Sequence, residues 1–412
     1  MRVIILTYIF TDNDPRYGGE GRVVWETSNA LARQGVEVFV ITSMKNLKTA
    51  PHPNIRLYQI PFAKKNFLNF NPGELLKMFF FCIPLIYIKQ IDIIHHLPTS
   101  GPDLFARFKF GRIFAESADP PQDYENPKFG HELKLDNANK MKEAGLKVSR
   151  WQAYDFWSRV ARRLCTWAGV NEKYPKGTDV FFYRALGFRN ALKKMCPNSE
   201  LFHVPNGVDT AAFSPRIKPH FPKIQTGGLR FLHVGSINRR KGTRYLVEAF
   251  IQSLSKHPEN ELFLVGRGEA GYISELKAMA AAHPQISFHE NVSHEDLPGA
   301  YTSADVFCLV PLSGSTPTVL GEALASGLPV IGTTQSGSGE AIEHYNVGLL
   351  VEPGEVQELA DAITKMTEDR KLLADKRSLA LKASEFFSWD YIARELVKGY
   401  EHTLRVKGKQ AP

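Results

Sequence analysis

Apolar runs of strand length alternate along this chain with segments whose apolar residues recur at helical spacing, and the alternation starts twice. Residues 2–8 form a continuous apolar run, the pattern of a strand buried on both faces. Gly18-Gly19-Glu20-Gly21 then reads as a glycine-rich loop leading into a helix with Val23, Val24, Ala30 and Leu31 on one face, stopped by Gly35. Residues 36–42 read as the next strand, so the chain opens on a β-α-β unit. Further strand patterns cover 55–60, 91–95 and 112–116. Residues 120–176 are polar, carry Trp151, Trp157 and Trp167, and predict helix with a mobile loop.

The second half repeats this grammar. Pro205-Asn206-Gly207-Val208-Asp209 reads as a turn, and the proline-rich stretch up to Gly228 as a linker. A strand over 229–234, a loop over 235–242 and a helix with Leu246, Phe250 and Leu254 on one face follow. A strand over 261–265 ends at Gly266-Arg267-Gly268, and a helix over 272–282 leads to a strand over 285–289. The apolar residues 306–310 run into a small polar loop, and Pro317 suits the first turn of a helix opening at Thr318. That helix carries one acid, Glu322, and stops at Gly327 before another apolar strand. A strand end, a helix N-terminus and a lone carboxylate make a phosphate-and-ribose site. The expected fold class is α/β, with two doubly wound, Rossmann-like domains across a cleft: residues 1–205, a linker over 206–228, and residues 229–389.

At 412 residues, 43% hydrophobic and 23% charged, the chain suits two globular α/β domains and excludes fibrous and disordered classes. No run of about 18 apolar residues occurs. MRVIILTYIF meets acid and glycine instead of a cleavage pattern, so a cytoplasmic protein is expected. Cys82, Cys165, Cys196 and Cys308 are far apart and form no C-x-x-C pair, which predicts reduced thiols and no zinc site. The net charge of +8 is uneven: residues 1–200 hold 29 Lys and Arg against 19 Asp and Glu, and the remainder 22 against 24. Such a basic half suits phosphorylated small molecules or an anionic membrane surface; no recognition helix, RNA-binding strand or zinc finger accompanies it, so nucleic acid is not expected. Residues 64–70, KKNFLNF, followed by the apolar stretch 78–88, read equally as a membrane-surface patch or as an amphipathic helix packed on a sheet.

Four motifs, VPNGVDTAAFSP (204–215), VGSINRRKGTRYLVEAF (234–250), LVGRG (264–268) and PLSGSTPTVLGEALASGLPVIGTT (311–334), resemble in order and spacing the retaining glycosyltransferases of the GT-B fold, family four. The resemblance implies a nucleoside-diphosphate sugar, UDP or GDP, as donor, held mainly by the C-terminal domain. It also implies an acceptor, glycan or lipid-linked, held mainly by the N-terminal domain, with the last helix, about 390–410, crossing back onto that domain. No separate cofactor is implied. In this family no protein nucleophile is firmly established, and the leaving phosphate helps deprotonate the acceptor, so charge stabilisation is the main work of the site. Lys241 falls at the family's lysine position, where an ammonium neutralises the β-phosphate, and Glu322 at the glutamate that accepts the ribose hydroxyls. The N–H groups near Thr318, Val319 and Leu320 face the diphosphate, and Gly18 and Gly19 let the first loop approach it. Gly235, Ser236, Arg240, Gly266, Val292, Ser315 and Thr316 complete the expected donor set.

The departures are specific. Family members usually carry a second glutamate eight positions before the first, and here that position is Gly314. Ser236 replaces the usual arginine, with Arg239 or Arg240 the candidate substitute cations. The usual acceptor-side histidine has no counterpart, leaving Asp119, Glu116 or His95, of which Asp119 is taken as catalytic. Asp12-Asn13-Asp14 precedes the glycine loop and reads as a polar loop, and His95-His96 as a structural pair, so no metal is expected. The expectation is a metal-independent retaining hexosyltransferase of polysaccharide biosynthesis, cytoplasmic or peripheral at the inner face of a membrane. The alternatives are a non-catalytic sugar-nucleotide or glycan binder and a GT-B sugar-nucleotide epimerase.

Overall fold

In a computed structural model, residues 1–12, 18–60, 72–97, 104–118, 160, 163–164, 166–167, 177–222, 227–314, 316–334 and 336–408 are described. The chain divides into two units, one built from 1–118, 160–207 and 389–408 and the other from 208–388. The first unit holds β1 (Arg2–Thr11), α1 (Gly18–Arg33), β2 (Glu37–Asn46), β3 (Ile55–Gln59), α2 (Pro72–Ile88), β4 (Ile93–His96), β5 (Ile113–Ala118), β6 (Val180–Tyr183), α3 (Phe188–Met195) and β7 (Glu200–His203). The second holds β8 (Arg230–Val234), α4 (Thr243–Ser253), β9 (Glu261–Val265), α5 (Ala270–Met279), β10 (Ile286–His289), α6 (Leu297–Thr302), β11 (Val306–Leu309), α7 (Thr318–Ala325), β12 (Val330–Thr333), α8 (Gly337–Tyr345), β13 (Gly348–Val351), α9 (Val356–Glu368) and α10 (Arg370–Ser384). The final helix, α11 (Trp389–Val406), returns to the first unit.

Each unit has a parallel sheet, with orders β3-β2-β1-β4-β5-β6-β7 and β10-β9-β8-β11-β12-β13. The central strands read as unbroken apolar runs because helices cover both faces: every residue of β8 and β11 is buried. In both sheets successive strands move outward on one side of the first strand and then on the other. The reversal lies between β1 and β4 in one sheet and between β8 and β11 in the other, and the crevice at the carboxyl ends of such a strand pair is where doubly wound folds bind ligands.

Local details depart from the sequence reading in two places. Gly18 and Gly19 are the first residues of α1, not part of a loop. The glycine that matters for packing is Gly21, where an added Cβ would come within 2.5 Å of Thr11 Cγ2 on β1. The stretch 206–228 is not a free linker: Val208 and Phe213 are buried in the second unit's core, and Phe221 packs against Phe263 and His289 at ring separations of 4.9 and 4.4 Å. Aromatic side chains in a proline-rich stretch pin it to the sheet it precedes. Of residues 120–176, only 160, 163–164 and 166–167 fall among the described ones, and these are helical.

The return of α11 follows from its pattern. Trp389, Ile392, Ala393, Leu396, Tyr400 and Leu404 recur at helical spacing and are buried in one cluster with Val24 and Leu31 of α1 and Val3 and Ile5 of β1. Arg33 and Asp390 pair at 2.9 Å beside this contact. Val208 N donates to Phe387 O at 2.6 Å, and a Cβ on Gly207 would meet the Trp389 ring at 2.3 Å, so the chain leaves the first unit and re-enters it at adjacent points.

Candidate functional site

The loop after β8 is built from backbone contacts that only glycine permits. Gly235 has φ +142° and Gly266 φ +141°, and a Cβ on Gly266 would lie 1.9 Å from Gly235 O. Gly235 N donates to Val265 O (3.0 Å) and Ile237 N to Arg267 O (2.8 Å), locking this loop to the one after β9. On the other side, Gly242 takes φ +68° and its missing Cβ would fall 2.0 Å from Val310 O, while Leu312 N donates to Arg240 O at 2.9 Å. The β8 loop is thereby fastened to the loop after β11, across the point where the strand order reverses.

Within this frame, Arg239–Lys241 forms a single 3-10 turn capped by Asn238, whose side chain accepts from Lys241 N at 3.0 Å. Lys241 is half-buried at the turn's end, immediately before Gly242 and α4. Its charge reaches His233, a fully buried residue of β8. Burial, above all, depresses the His233 pKa to about 4; a hydrogen bond to Cys308 O opposes the shift and the Lys241 charge adds to it. The neutral ring therefore donates from Nδ1 to that carbonyl at 3.1 Å and leaves Nε2 as a buried acceptor beneath Gly235.

The two candidate substitute cations separate. Arg239 pairs with Glu275 at 3.1 Å and lies over the Tyr272 ring at 4.4 Å, directing it toward α5. Arg240 points across the crevice: its Nη1 lies 3.9 Å from where a Gly314 Cβ would stand. Gly314 itself has φ +133°, a backbone state that a glutamate adopts only under strain, which gives a local reason for glycine there. Ser236 is exposed on the same loop.

The α7 helix starts at Thr318 with Pro317 as its N-cap, and no side chain caps its first turn. The N–H groups of Thr318 and Val319 therefore lie at the positive end of the helix, where an anion is favoured. Pro317 is one position earlier than the first helical turn suggested by the sequence. Thr316 is buried and donates to Gly337 O at 2.9 Å, a role in joining this loop to α8. Leu320 is buried and Val319 half-buried in the cluster that also receives Val292 from the loop after β10. Glu322, one turn into α7, accepts from the Tyr301 hydroxyl at 2.8 Å. Tyr301 is fully buried, and burial first, then the neighbouring carboxylate, raises its pKa well above the usual value, so it remains a proton donor to Glu322. Tyr301 and His233 were not among the sequence candidates. Each lies on an element whose periodicity marks it only as core, and neither belongs to a recognisable motif.

The structure thus brings together Gly235, Ser236, Arg240 and Lys241 after β8, Gly266 after β9, Val292 after β10, and Thr316, Thr318, Val319, Leu320 and Glu322 after β11. Ser315 and Asp119 lie outside the described residues. In the first unit, Gly18 and Gly19 open α1 after β1. His95 contacts Tyr400 OH through Nδ1 at 2.5 Å and Ser117 Oγ through Nε2 at 3.2 Å. Burial, followed by the charges of His96 and Arg184, lowers its pKa to about 3, which keeps the ring neutral in the core. Glu116 is also fully buried and accepts from Thr178 Oγ1 at 3.3 Å. Asp12 accepts from Lys48 N, Thr49 N and Thr49 Oγ1, which makes it a loop anchor; Asn13 and Asp14 lie outside the described residues. Among the described residues, no group of three or more His, Cys, Asp or Glu is placed to hold a metal ion.

Two parallel doubly wound units, with a phosphate-type loop and an uncapped helix at the second unit's switch point, define the GT-B fold. Residues 217–381 match the family model "Glycosyl transferases group 1". The chain is 28% identical over 205 residues to phosphatidyl-myo-inositol mannosyltransferase of Mycolicibacterium smegmatis, covering 49% of this chain and 52% of that protein. It is also 28% identical over 214 residues to D-inositol 3-phosphate glycosyltransferase of an Arthrobacter species, covering 49% and 51%. The matches thus span about half the length of these curated relatives. Among solved structures, sucrose-phosphate synthase from Thermosynechococcus elongatus superposes with a TM-score of 0.66 at 17% identity, covering 98% of this chain and 99% of that one. Anabaena HepE in complex with UDP-glucose superposes with a TM-score of 0.60 at 17% identity, covering 98% and 100%. These likenesses establish the fold.

Proposed function

We propose that the protein transfers a glycosyl group from a nucleoside-diphosphate sugar to a glycan, lipid-linked or small-molecule acceptor, with retention at the anomeric carbon and without a metal ion. The observation that carries this reading is the second unit's switch point, where the Arg239–Lys241 turn after β8 is fastened through Leu312 N and Arg240 O to the loop that leads into α7, an uncapped helix carrying Glu322. The curated relatives' names support glycosyl transfer, and the UDP-glucose bound by HepE agrees with a nucleoside-diphosphate sugar as donor.

In the proposed reaction the bond from the anomeric carbon to the donor's β-phosphate oxygen breaks and a bond to the acceptor oxygen forms. The acceptor's proton passes to the departing phosphate. Lys241 offsets the charge that grows on that phosphate, and the N–H groups of Thr318 and Val319 fix the diphosphate. Glu322, oriented by Tyr301, accepts the ribose hydroxyls. Because these groups provide the positive charge, turnover should survive EDTA.

A panel of UDP-, GDP- and ADP-sugars tests the reading by free-nucleotide release, with candidate acceptors present and absent. A transferase releases nucleotide slowly without acceptor and faster with the right one. Nucleotide binding with no turnover of any donor would instead identify a binder, and interconversion of the free sugar nucleotide an epimerase.

A further inference from the structure

Helix α2 is apolar on the face that meets solvent as well as on the face that meets the sheet. Inwardly, Leu76, Met78, Phe79, Cys82 and Ile86 are buried. Outwardly, Phe80, Pro84, Tyr87 and Ile88 fall on one helical stripe, and Phe80, Tyr87 and Ile88 are 55, 58 and 72% exposed. Aromatic contacts extend the stripe sideways. Phe79 touches Phe80, Phe108 and Phe110, Tyr87 touches Phe110, and Phe108 stacks on Trp167, itself 77% exposed. Phe110 keeps this position with a left-handed φ of +50°, an unfavourable state for an aromatic residue. A contiguous apolar surface of this kind marks an interaction site.

The charges around it are mostly basic, although Glu74 lies in the first turn of α2 and Lys109 pairs with Asp179 at 2.8 Å. Lys77 and Lys89 lie on and just after α2, Arg107, Lys109 and Arg112 surround Phe108 and Phe110, and Arg163 precedes Trp167 by one helical turn. Residues 76–91 and 104–112 contain no Asp or Glu. A second copy of the chain seated symmetrically on this face would bring these cations together, which disfavours self-association. Among the described residues, no helix is long and apolar enough to cross a membrane, so an apolar face with a cationic margin suits the surface of a bilayer, not its interior.

We propose that this face docks on an anionic phospholipid surface, with Phe80, Tyr87, Ile88 and Trp167 at the acyl boundary and Lys77, Lys89 and Arg107 among the headgroups. The inference deepens the transferase reading, on which it rests, by placing the acceptor at a lipid surface. Its test uses the full chain and co-sedimentation with vesicles of phosphatidylcholine alone or mixed equally with phosphatidylglycerol. Binding to the mixed vesicles at low salt, weakened by added salt and by F80S/I88S by at least about tenfold, is expected. Trp167 fluorescence should shift to the blue on binding, a signal missing in W167F. Absence of binding to the mixed vesicles at low salt, or equal binding by F80S/I88S, overturns the proposal, as does a concentration-dependent dimer broken by the same variant. UDP and GDP titrations on the same samples separate the two readings, since loss of vesicle binding with intact nucleotide binding sinks only the docking face.

Discussion

At Gly314 a single backbone angle explains a departure from the resemblance. With φ at +133° and Arg240 Nη1 3.9 Å from the absent Cβ, the position suits glycine and places a cation where the family places an acid. Restoring the acid as Gly314→Glu should therefore strain the loop by about 1–2 kcal/mol instead of improving turnover. Urea unfolding and initial rates check this; a faster and equally stable variant would contradict it. Lys241 carries a sharper expectation. Removing the ammonium in Lys241→Ala should lower kcat by at least about 100-fold while leaving thermal stability near that of the parent, because the side chain is only half-buried. Near-parental kcat would remove Lys241 from the chemistry. Tyr301→Phe deletes only the hydroxyl that orients Glu322, and it should weaken nucleotide binding by about threefold to tenfold in calorimetric titration, roughly the worth of one hydrogen bond to a carboxylate. Unchanged affinity would leave Tyr301 with a purely packing role.

The elements around these residues were legible in proportion to how locally their cause acts. The strand Glu261–Val265 and the helix start at Thr318 agree with the sequence pattern because an apolar run and a polar loop with proline determine each within a few residues. The course of 206–228 was not legible, since Phe213 and Phe221 reveal their partners Tyr301, Phe263 and His289 only once the sheet has formed. The place of Lys241 in the loop before a helix was readable from its motif, whereas Tyr301 is tied to Glu322 across 21 residues and carries no local signature. The glycine-locked loops make the same point about packing. Gly266→Ala must remove a clash of 1.9 Å with Gly235 O and hold a left-handed φ, so the β8 and β9 loops would separate. Loss of more than about 1–2 kcal/mol in urea unfolding, together with weakened nucleotide binding, is expected. A stable variant with intact binding would show that the two loops need not touch.

Across the whole molecule, the buried histidines couple folding to acid. His95 and His96 end β4 in the first unit, and His233 lies near the end of β8 in the second. Burial is the leading cause of depression in each, taking them from the usual 6.5 to about 3, 4 and 4. Protonating them in the folded state would place a cation in a core: against Tyr400 and Phe182 for His95, and among strands near Lys241 for His233. In the unfolded chain the same rings take a proton near pH 6.5. Between that pH and about 4 the unfolded state binds more protons than the folded one, so the stability these groups preserve is complete above 6.5 and is lost progressively as pH falls. The melting temperature should therefore be flat from about pH 8 to 7 and decline steadily from about 6.5 to 4, before the bulk of the carboxylates titrate. Replacing His95 by Gln, which keeps a polar side chain for Tyr400 and Ser117 but cannot titrate, should flatten the early part of that decline in the first unit. A melting temperature constant down to pH 4.5, or an H95Q profile parallel to that of the parent, would show that these rings do not control acid stability.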